Sequence, residues 1–136
     1  MIDLSRLSVK SSEQSMDRSI YQEEVLEHYR HPQNFGVLKN PTHTGAAENP
    51  LCGDSITLEL RVKSGKVADI GFTGSGCALS TASASLFTEW MRDKSVEQLK
   101  KVKDKQLFKL IKVPITPARH QCVLLPLTAL KRILDV

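Results

Sequence analysis

Three cysteines and one aspartate are the residues of this sequence whose types and spacing could support chemistry. Cys52 begins the string Cys52-Gly53-Asp54, Cys77 ends a glycine-rich run, and Cys122 lies near the C-terminal end. Three thiols and a carboxylate make four ligands, the number required by a tetrahedral soft-metal site or a small iron–sulfur cluster. They are therefore a candidate metal site, although a buried structural cysteine is the ordinary interpretation of each thiol taken alone.

The elements around these residues determine whether the four groups meet. Gly53 frees the backbone to bring Cys52 and Asp54 toward one point. Cys77 stands where a glycine-rich turn meets a predicted helix start, and the positive end of a helix dipole stabilises anions there. Thr116 and Pro117 have the form of a cap and a first helical residue, which places Cys122 in the early turns of a last helix.

Two strands with a clear period precede Cys77. Apolar residues alternate with polar ones from Ile56 to Val62, and a similar alternation runs through Ala68, Ile70 and Phe72. This pattern is typical of half-buried strands, so the sequence predicts an antiparallel hairpin covered by helices on one face. A three-residue loop would align the even positions of both strands, with Gly65 in a left-handed bulge position.

Helices are predicted on both sides of the hairpin. The first runs from Ser19 to Arg30, because apolar residues recur there at helical spacing and Pro32 ends the segment. A short edge strand is predicted near Ala46 in the irregular stretch that follows. Four further helices are predicted: one after Cys77, one from Ser95, one from Asp104 and a last one that continues through Leu134. Pro126 lies inside the last helix, so that helix either bends there or begins after Pro117.

Length and composition limit the class of protein. The 136 residues suit a single domain, and 40% apolar with 25% charged residues is ordinary for a globular protein. No apolar run reaches the length that spans a bilayer, and residues 1–18 lack the features of a secretion signal or organellar presequence. We therefore predict a flexible N-terminal tail at 1–18, one domain at 19–136, no membrane association and a cytoplasmic location.

The basic charge of the chain is mild. The net charge is +4, its densest part is the lysine-rich stretch 100–105, and the chain has one Trp, two Tyr and four Phe. A nucleic-acid surface requires more basic residues with interleaved aromatics, so no nucleic-acid partner is expected. A solvated helix edge is the simpler interpretation of these lysines.

Four ordered blocks of the chain together resemble a known family, the U-type iron–sulfur cluster assembly scaffolds that include IscU, SufU and the N-terminal domain of NifU. The blocks are residues 24–36, 48–54, 72–85 and 118–122. The resemblance covers about residues 20–135 and includes all three cysteines. Asn49, Arg119 and the serine-rich block after Cys77 are SufU-like, but the extra segment usual in that branch is missing between Cys77 and Cys122.

The resemblance implies an α+β fold of the SufE/NifU type, with a small antiparallel sheet of about three strands and four to five helices. It implies that Cys52, Asp54, Cys77 and Cys122 hold zinc or a transient [2Fe–2S] cluster. One cysteine would receive persulfide sulfur from a cysteine desulfurase, with Cys122 the first candidate and Cys77 the alternative. The assembled cluster would pass to recipient apo iron–sulfur proteins.

Several alternatives accompany this interpretation. A non-enzymatic scaffold is the first hypothesis, with a zinc-dependent sulfurtransferase role left open; a structural zinc adapter and a thiol enzyme are the rivals. Gln121 stands where IscU-type proteins carry histidine, and His120 is about 200° around a helix from Cys122, which argues against its ligation. The segment 115–119 matches the chaperone-recognition loop of IscU only loosely, which argues against a dedicated Hsp70 partner.

Overall fold

The computed structural model describes residues 12–51 and 53–136. Within them, three strands and five α-helices follow one another with a short 3₁₀ turn at Pro117–Arg119. The elements are α1 Ser12–Arg30, β1 His43–Asn49, β2 Asp54–Lys63, β3 Lys66–Ser75, α2 Ala78–Met91, α3 Val96–Lys100, α4 Asp104–Ile111 and α5 His120–Leu134. The predicted α+β class, with a small antiparallel sheet and four to five helices, is confirmed.

The first helix begins earlier than the sequence pattern predicted. It starts at Ser12 rather than at Ser19, because good helix formers such as Glu13, Gln14 and Arg18 let the helix extend beyond its amphipathic part. The boundary predicted at residue 19 therefore falls inside α1. Residues 1–11 of the predicted tail lie outside the described residues, so the division into 1–18 and 19–136 stays a prediction.

The sheet is antiparallel throughout and has the strand order β1-β2-β3. The predicted short strand near Ala46 is β1, at one edge. In the hairpin, Leu58 lies opposite Phe72 and Leu60 opposite Ile70, as the alternation predicted. Leu58 and Leu60 on this face are fully buried.

The hairpin reaches that register by a different route from the predicted three-residue loop. Lys63 pairs with Lys66 across a two-residue turn, in which Ser64 and Gly65 both have positive φ. A turn of this type matches the twist of the strands. The register then shifts between Arg61 and Val62, so that Val67 is buried and Ala68 is exposed. The left-handed Gly65 is confirmed, whereas the inward position of Ala68 is wrong, because the β-bulge turns it outward.

Helix α2 lies at the centre of the helical layer, in contact with α1, α4, α5 and β3. Small residues permit this close approach, and several buried residues of α2 are serine or alanine. Ser83 donates a hydrogen bond to the backbone carbonyl of Val123 at 2.6 Å, which links α2 directly to α5. The core beside it includes Phe87, Met91 and Leu130, all of them inaccessible to solvent.

The remaining predicted helices are confirmed with one refinement. Ser95 and Gln98 form the predicted capping box of α3. The last helical segment begins as the 3₁₀ turn Pro117–Arg119 and continues as α5, which runs through Pro126 to Leu134. Across the described part of the chain, every helix is too short or too polar to cross a membrane.

Candidate metal centre

Three of the four predicted ligands meet at one end of the sheet. Asp54 is the first residue of β2, Cys77 is the N-cap of α2 just after β3, and Cys122 lies in the first turn of α5. Ser55 pairs with Ser75 in the β2–β3 ladder, so the hairpin itself brings Asp54 close to Cys77. The carboxylate oxygen and both sulfur atoms lie within 4.8 Å of one another.

Cys52, the fourth predicted ligand, lies outside the described residues. The chain on either side of it is described: the Gly53 N–H donates to the Asn49 carbonyl at 2.8 Å, between the end of β1 and the start of β2. Asp54 follows Cys52 by two residues and belongs to the group that the structure brings together. A ligand role for Cys52 stays a prediction.

Asp54 is a buried carboxylate, 4% exposed, and it holds the start of α2. Its Oδ1 accepts a hydrogen bond from the backbone N–H of Cys77 at 3.2 Å, and the Cys77 thiol points at Oδ2 at 3.7 Å. The Cys77 side chain makes no capping hydrogen bond to its own helix. Asp54 therefore satisfies a backbone donor at the start of α2 from a different element, a role that the sequence did not predict.

Gly76 and Ser80 shape the space around Cys77. The Ser80 hydroxyl donates to the Cys77 carbonyl at 3.0 Å, and the Cys77 thiol contacts the same hydroxyl oxygen at 3.8 Å. A Cβ on Gly76 would collide with Ser80 Oγ and lie 3.1 Å from Asp54 Oδ1. A larger residue at position 76 would therefore displace groups that border the candidate centre.

Cys122 is fully buried, and Asn49 lies beside it. The Asn49 side-chain amide donates toward Cys122 Sγ at 3.9 Å in a buried pair. Asn49 is the last residue of β1 and lies opposite Asp54 in the β1–β2 ladder. In the sequence, Asn49 stood out only as a SufU-like residue in the block around Cys52, with no role in the centre.

The donor set fits a metal ion. Thiolate and carboxylate groups are ligands of zinc, and thiolates are the usual ligands of iron–sulfur clusters. In a tetrahedral zinc site with Zn–S bonds near 2.3 Å, neighbouring sulfurs are about 3.8 Å apart. The three described groups lie within 4.8 Å, so small inward movements would suffice to bind one ion.

The three residues that precede Cys122 in the chain have different surroundings from one another. The His120 ring packs on Phe108, with ring centroids 5.0 Å apart, as expected for a residue on another side of the helix. Gln121 is exposed. Arg119 is also exposed and lines a groove of about 330 Å³ beside α1 and the start of α2. Within the described residues, no ion pair joins Arg119 to Asp54.

His28 lies outside the group of converging side chains and joins two helices. Its Nδ1 lies 2.7 Å from Ser85 Oγ, and its side chain is 16% exposed. Ser85 also accepts a hydrogen bond from the backbone N–H of Gln33 at 2.7 Å. His28 therefore links α1 to α2, on the part of α2 away from Cys77.

Comparison with known proteins gives a consistent result. The family model described as the NifU-like N terminal domain matches residues 20–135. An iron–sulfur cluster assembly enzyme IscU of Drosophila melanogaster is 38% identical over 122 residues, covering 87% of this chain and 78% of the relative. A scaffold protein IscU of Rickettsia prowazekii is 36% identical over 115 residues, covering 82% of this chain and 86% of the relative.

Solved structures agree in fold. A protein of Fervidobacterium islandicum AW-1, described as an iron–sulfur cluster assembly scaffold for the SUF system, superposes with a TM-score of 0.70 at 25% identity, covering 86% of this chain and 98% of its own. A nitrogen-fixing NifU-like N-terminal protein of Brucella abortus has a TM-score of 0.70 at 22% identity, covering 88% of this chain and 95% of its own. Because the relatives carry both IscU and SufU names, the SufU-like branch stays a prediction.

Proposed function

Because this chain belongs to the family of NifU-like N-terminal domains, we propose that it is an iron–sulfur cluster assembly scaffold. It accepts sulfur from a cysteine desulfurase, holds a transient [2Fe–2S] cluster as cargo and passes the cluster to recipient apo proteins. The observation that carries this proposal is the convergence of Asp54, Cys77 and Cys122 within 4.8 Å at one end of the sheet. The names of the relatives support it independently.

The chemistry of the ligands suits a cargo that must leave. Thiolates of Cys77 and Cys122 match iron, whereas the carboxylate of Asp54 is a hard ligand and a poorer partner for iron already bound by sulfur. Asp54 Oδ1 is engaged with the Cys77 N–H, so Oδ2 is the oxygen that faces the thiols. A single hard oxygen among sulfur ligands makes the cluster easier to release than an all-thiolate site would.

Sulfur entry is proposed at Cys77. Its side chain is partly exposed, whereas Cys122 is fully buried, so we favour Cys77 over Cys122, the reverse of the sequence-based order. The Cys77 thiolate attacks the outer sulfur of a persulfide on the desulfurase. The S–S bond of the donor breaks, its cysteine leaves as a thiolate, and Cys77 carries the persulfide with no net oxidation.

The partner must reach this end of the molecule. Leu51 lies in the turn between Asn49 and Asp54, and at 92% it is the most exposed of the large apolar side chains that the structure describes. Such a residue on the rim is suited to a protein surface that docks over Cys77. We therefore propose that the desulfurase and the recipient proteins contact the rim that contains Leu51.

Zinc is the second occupant proposed for the site. Zinc accepts thiolate and carboxylate ligands in tetrahedral geometry, and it would stabilise the folded chain between rounds of assembly by binding the native state. A chain that holds zinc permanently and never acquires sulfur would instead be a structural adapter. Elemental analysis and visible absorption of protein purified without oxygen distinguish the two: iron with sulfide supports the scaffold, and zinc alone under all conditions opposes it.

Desulfurase turnover tests sulfur acceptance. The desulfurase is assayed with cysteine alone and with the parent chain, Cys77→Ser, Cys122→Ser or the exposed neighbour Ser75→Ala as the matched control. We expect the parent and Ser75→Ala to raise turnover equally and Cys77→Ser to lose the stimulation. Mass spectrometry should then place the added sulfur on Cys77. Equal stimulation by both cysteine variants would show that neither described thiol accepts sulfur.

A further inference from the structure

Asn49 has the position of a group that acts on the centre without being a ligand. Its side chain is buried, at 7% exposure, and its amide Nδ2 donates toward Cys122 Sγ at 3.9 Å. The amide of an asparagine has two N–H donors and can therefore donate to sulfur. An apolar side chain or a carboxylate at this position would have no N–H to donate.

The strand fixes where this amide points. Along β1, Ala47 and Asn49 are buried while Glu48 between them is exposed, so Asn49 faces the helical layer, and α5 packs on β1. The Asn49 carbonyl accepts the Gly53 N–H at 2.8 Å, which anchors its backbone. Asn49 also lies opposite Asp54 in the ladder. The donor is therefore held in place before any metal binds.

We propose that Asn49 is a positioning residue of the metal centre: its amide N–H holds the Cys122 sulfur on the side of Asp54 and Cys77. The inference rests on the proposed use of Cys122 as a ligand. Hydrogen bonds to ligand sulfur stabilise its negative charge and set its orientation, and they tune the electronic properties of bound metal. Asn49 thus also ties the chain segment that precedes Cys52 and Asp54 to the third cysteine.

Metal binding by the purified chain tests this role without any partner protein. Asn49→Leu keeps the branched shape of the side chain but is larger and has no donor. Asn49→Ala is the smaller second variant in case leucine prevents folding. Asn34→Ala is the matched control, because its amide donates to Thr88 Oγ1 at 3.0 Å toward the far end of α2. Zinc affinity is measured by competition with a chromophoric chelator, and cobalt(II) substitution reports the thiolate-to-metal absorption band.

We expect zinc binding to weaken by about tenfold in both Asn49 variants, the usual effect of losing an outer-shell partner. The cobalt–thiolate band should shift in both, because the Cys122 sulfur changes its donor strength. Asn34→Ala should bind zinc within about twofold of the parent, with an unshifted band. A weaker affinity without a band shift, or an equal loss in Asn34→Ala, would show a general stability effect and overturn the proposal.

The outcome separates this inference from the scaffold proposal. Zinc and cobalt binding require no desulfurase, so an unchanged affinity and band in Asn49→Leu overturn the role of Asn49 whatever the turnover assay shows. A chain with Asn49-dependent metal binding that never stimulates the desulfurase would refute sulfur acceptance and leave the positioning role intact.

Discussion

Replacing Asp54 by asparagine or by alanine should separate its two roles. Both changes remove the carboxylate that is proposed as a ligand. Asparagine keeps a side-chain carbonyl that accepts the Cys77 N–H, now bonded at 3.2 Å, whereas alanine leaves that donor at the start of α2 without it. The metal-free Asp54→Ala protein should therefore be less stable than metal-free Asp54→Asn, although both bind metal poorly.

The size of the difference follows from what is lost. Removing a capping acceptor at a helix start costs about 1 kcal/mol, with a range of about 0.5–2 kcal/mol. Both variants also lose the cost of burying a charge, since Asp54 is 4% exposed, so this term cancels between them. With a urea dependence of about 1–3 kcal/mol per molar, Asp54→Ala should unfold about 0.5 M earlier than Asp54→Asn.

Urea unfolding after chelation, followed by circular dichroism, measures this difference. Glu48→Ala and Glu48→Gln form the matched control pair, because Glu48 is an exposed carboxylate on β1; their difference should stay within about 0.5 kcal/mol. Equal midpoints for the alanine and asparagine variants at position 54 would refute the reasoning that Asp54 supports α2 through the Cys77 N–H.

Three further changes test the surroundings of the site. Gly76→Ala should weaken zinc binding by about tenfold or more in a chelator competition, because the added Cβ collides with Ser80 Oγ and crowds Asp54; unchanged affinity would contradict the close approach. Asp54→Cys should slow cluster transfer to an apo acceptor by about tenfold, since an all-sulfur site matches iron better. Circular dichroism measures the transfer rate, and an equal or faster rate would contradict the proposal that the carboxylate eases cluster release. Ser95→Ala should cost about 1 kcal/mol in urea unfolding through loss of its capping box with Gln98, with zinc affinity unchanged.

The hairpin shows what a residue pattern can and cannot predict. Alternation identified the strands and the facing of Leu58 with Phe72, because burial of one face fixes register. It did not identify the turn, since Ser64 adopts a left-handed conformation that its residue type does not require. The two-residue turn and a bulge at Ala68 together give the same register between Leu58 and Phe72 as the predicted three-residue loop. Only the backbone conformation distinguishes these two arrangements.

Helix α2 shows a different limit. Its apolar residues at helical spacing are Leu79, Ala82, Leu86 and Trp90, and of these only Ala82 is fully buried. Ser83 and Phe87, which lie outside that series, are 2% and 0% exposed. A helix with neighbours on several sides buries most of its surface, so a single apolar stripe no longer marks the core. Serine is tolerated there because its hydroxyl finds a backbone acceptor on α5.

The centre was predictable as a set of residue types, and less so as a geometry. Asp54, Cys77 and Cys122 were identified because few residue types bind soft metals, and the structure brings these three together. Asn49 and Ser80 were not, because their side chains gain meaning only from tertiary neighbours: Asn49 lies 73 residues from Cys122 in the chain. Common polar residues give no signal of this kind in a single sequence.

The position of the candidate donors at element ends also suits the proposed cycle, in which one site forms reliably and releases its cargo. Asp54 begins β2, Cys77 is the N-cap of α2 and Cys122 lies in the first turn of α5, so each backbone is fixed by the packed core immediately beyond it. The groups therefore meet only when sheet and helices are assembled, which couples metal binding to folding. Because Cys77 remains partly exposed at this end, an incoming sulfur donor or a recipient protein can reach the ligands without unfolding the core.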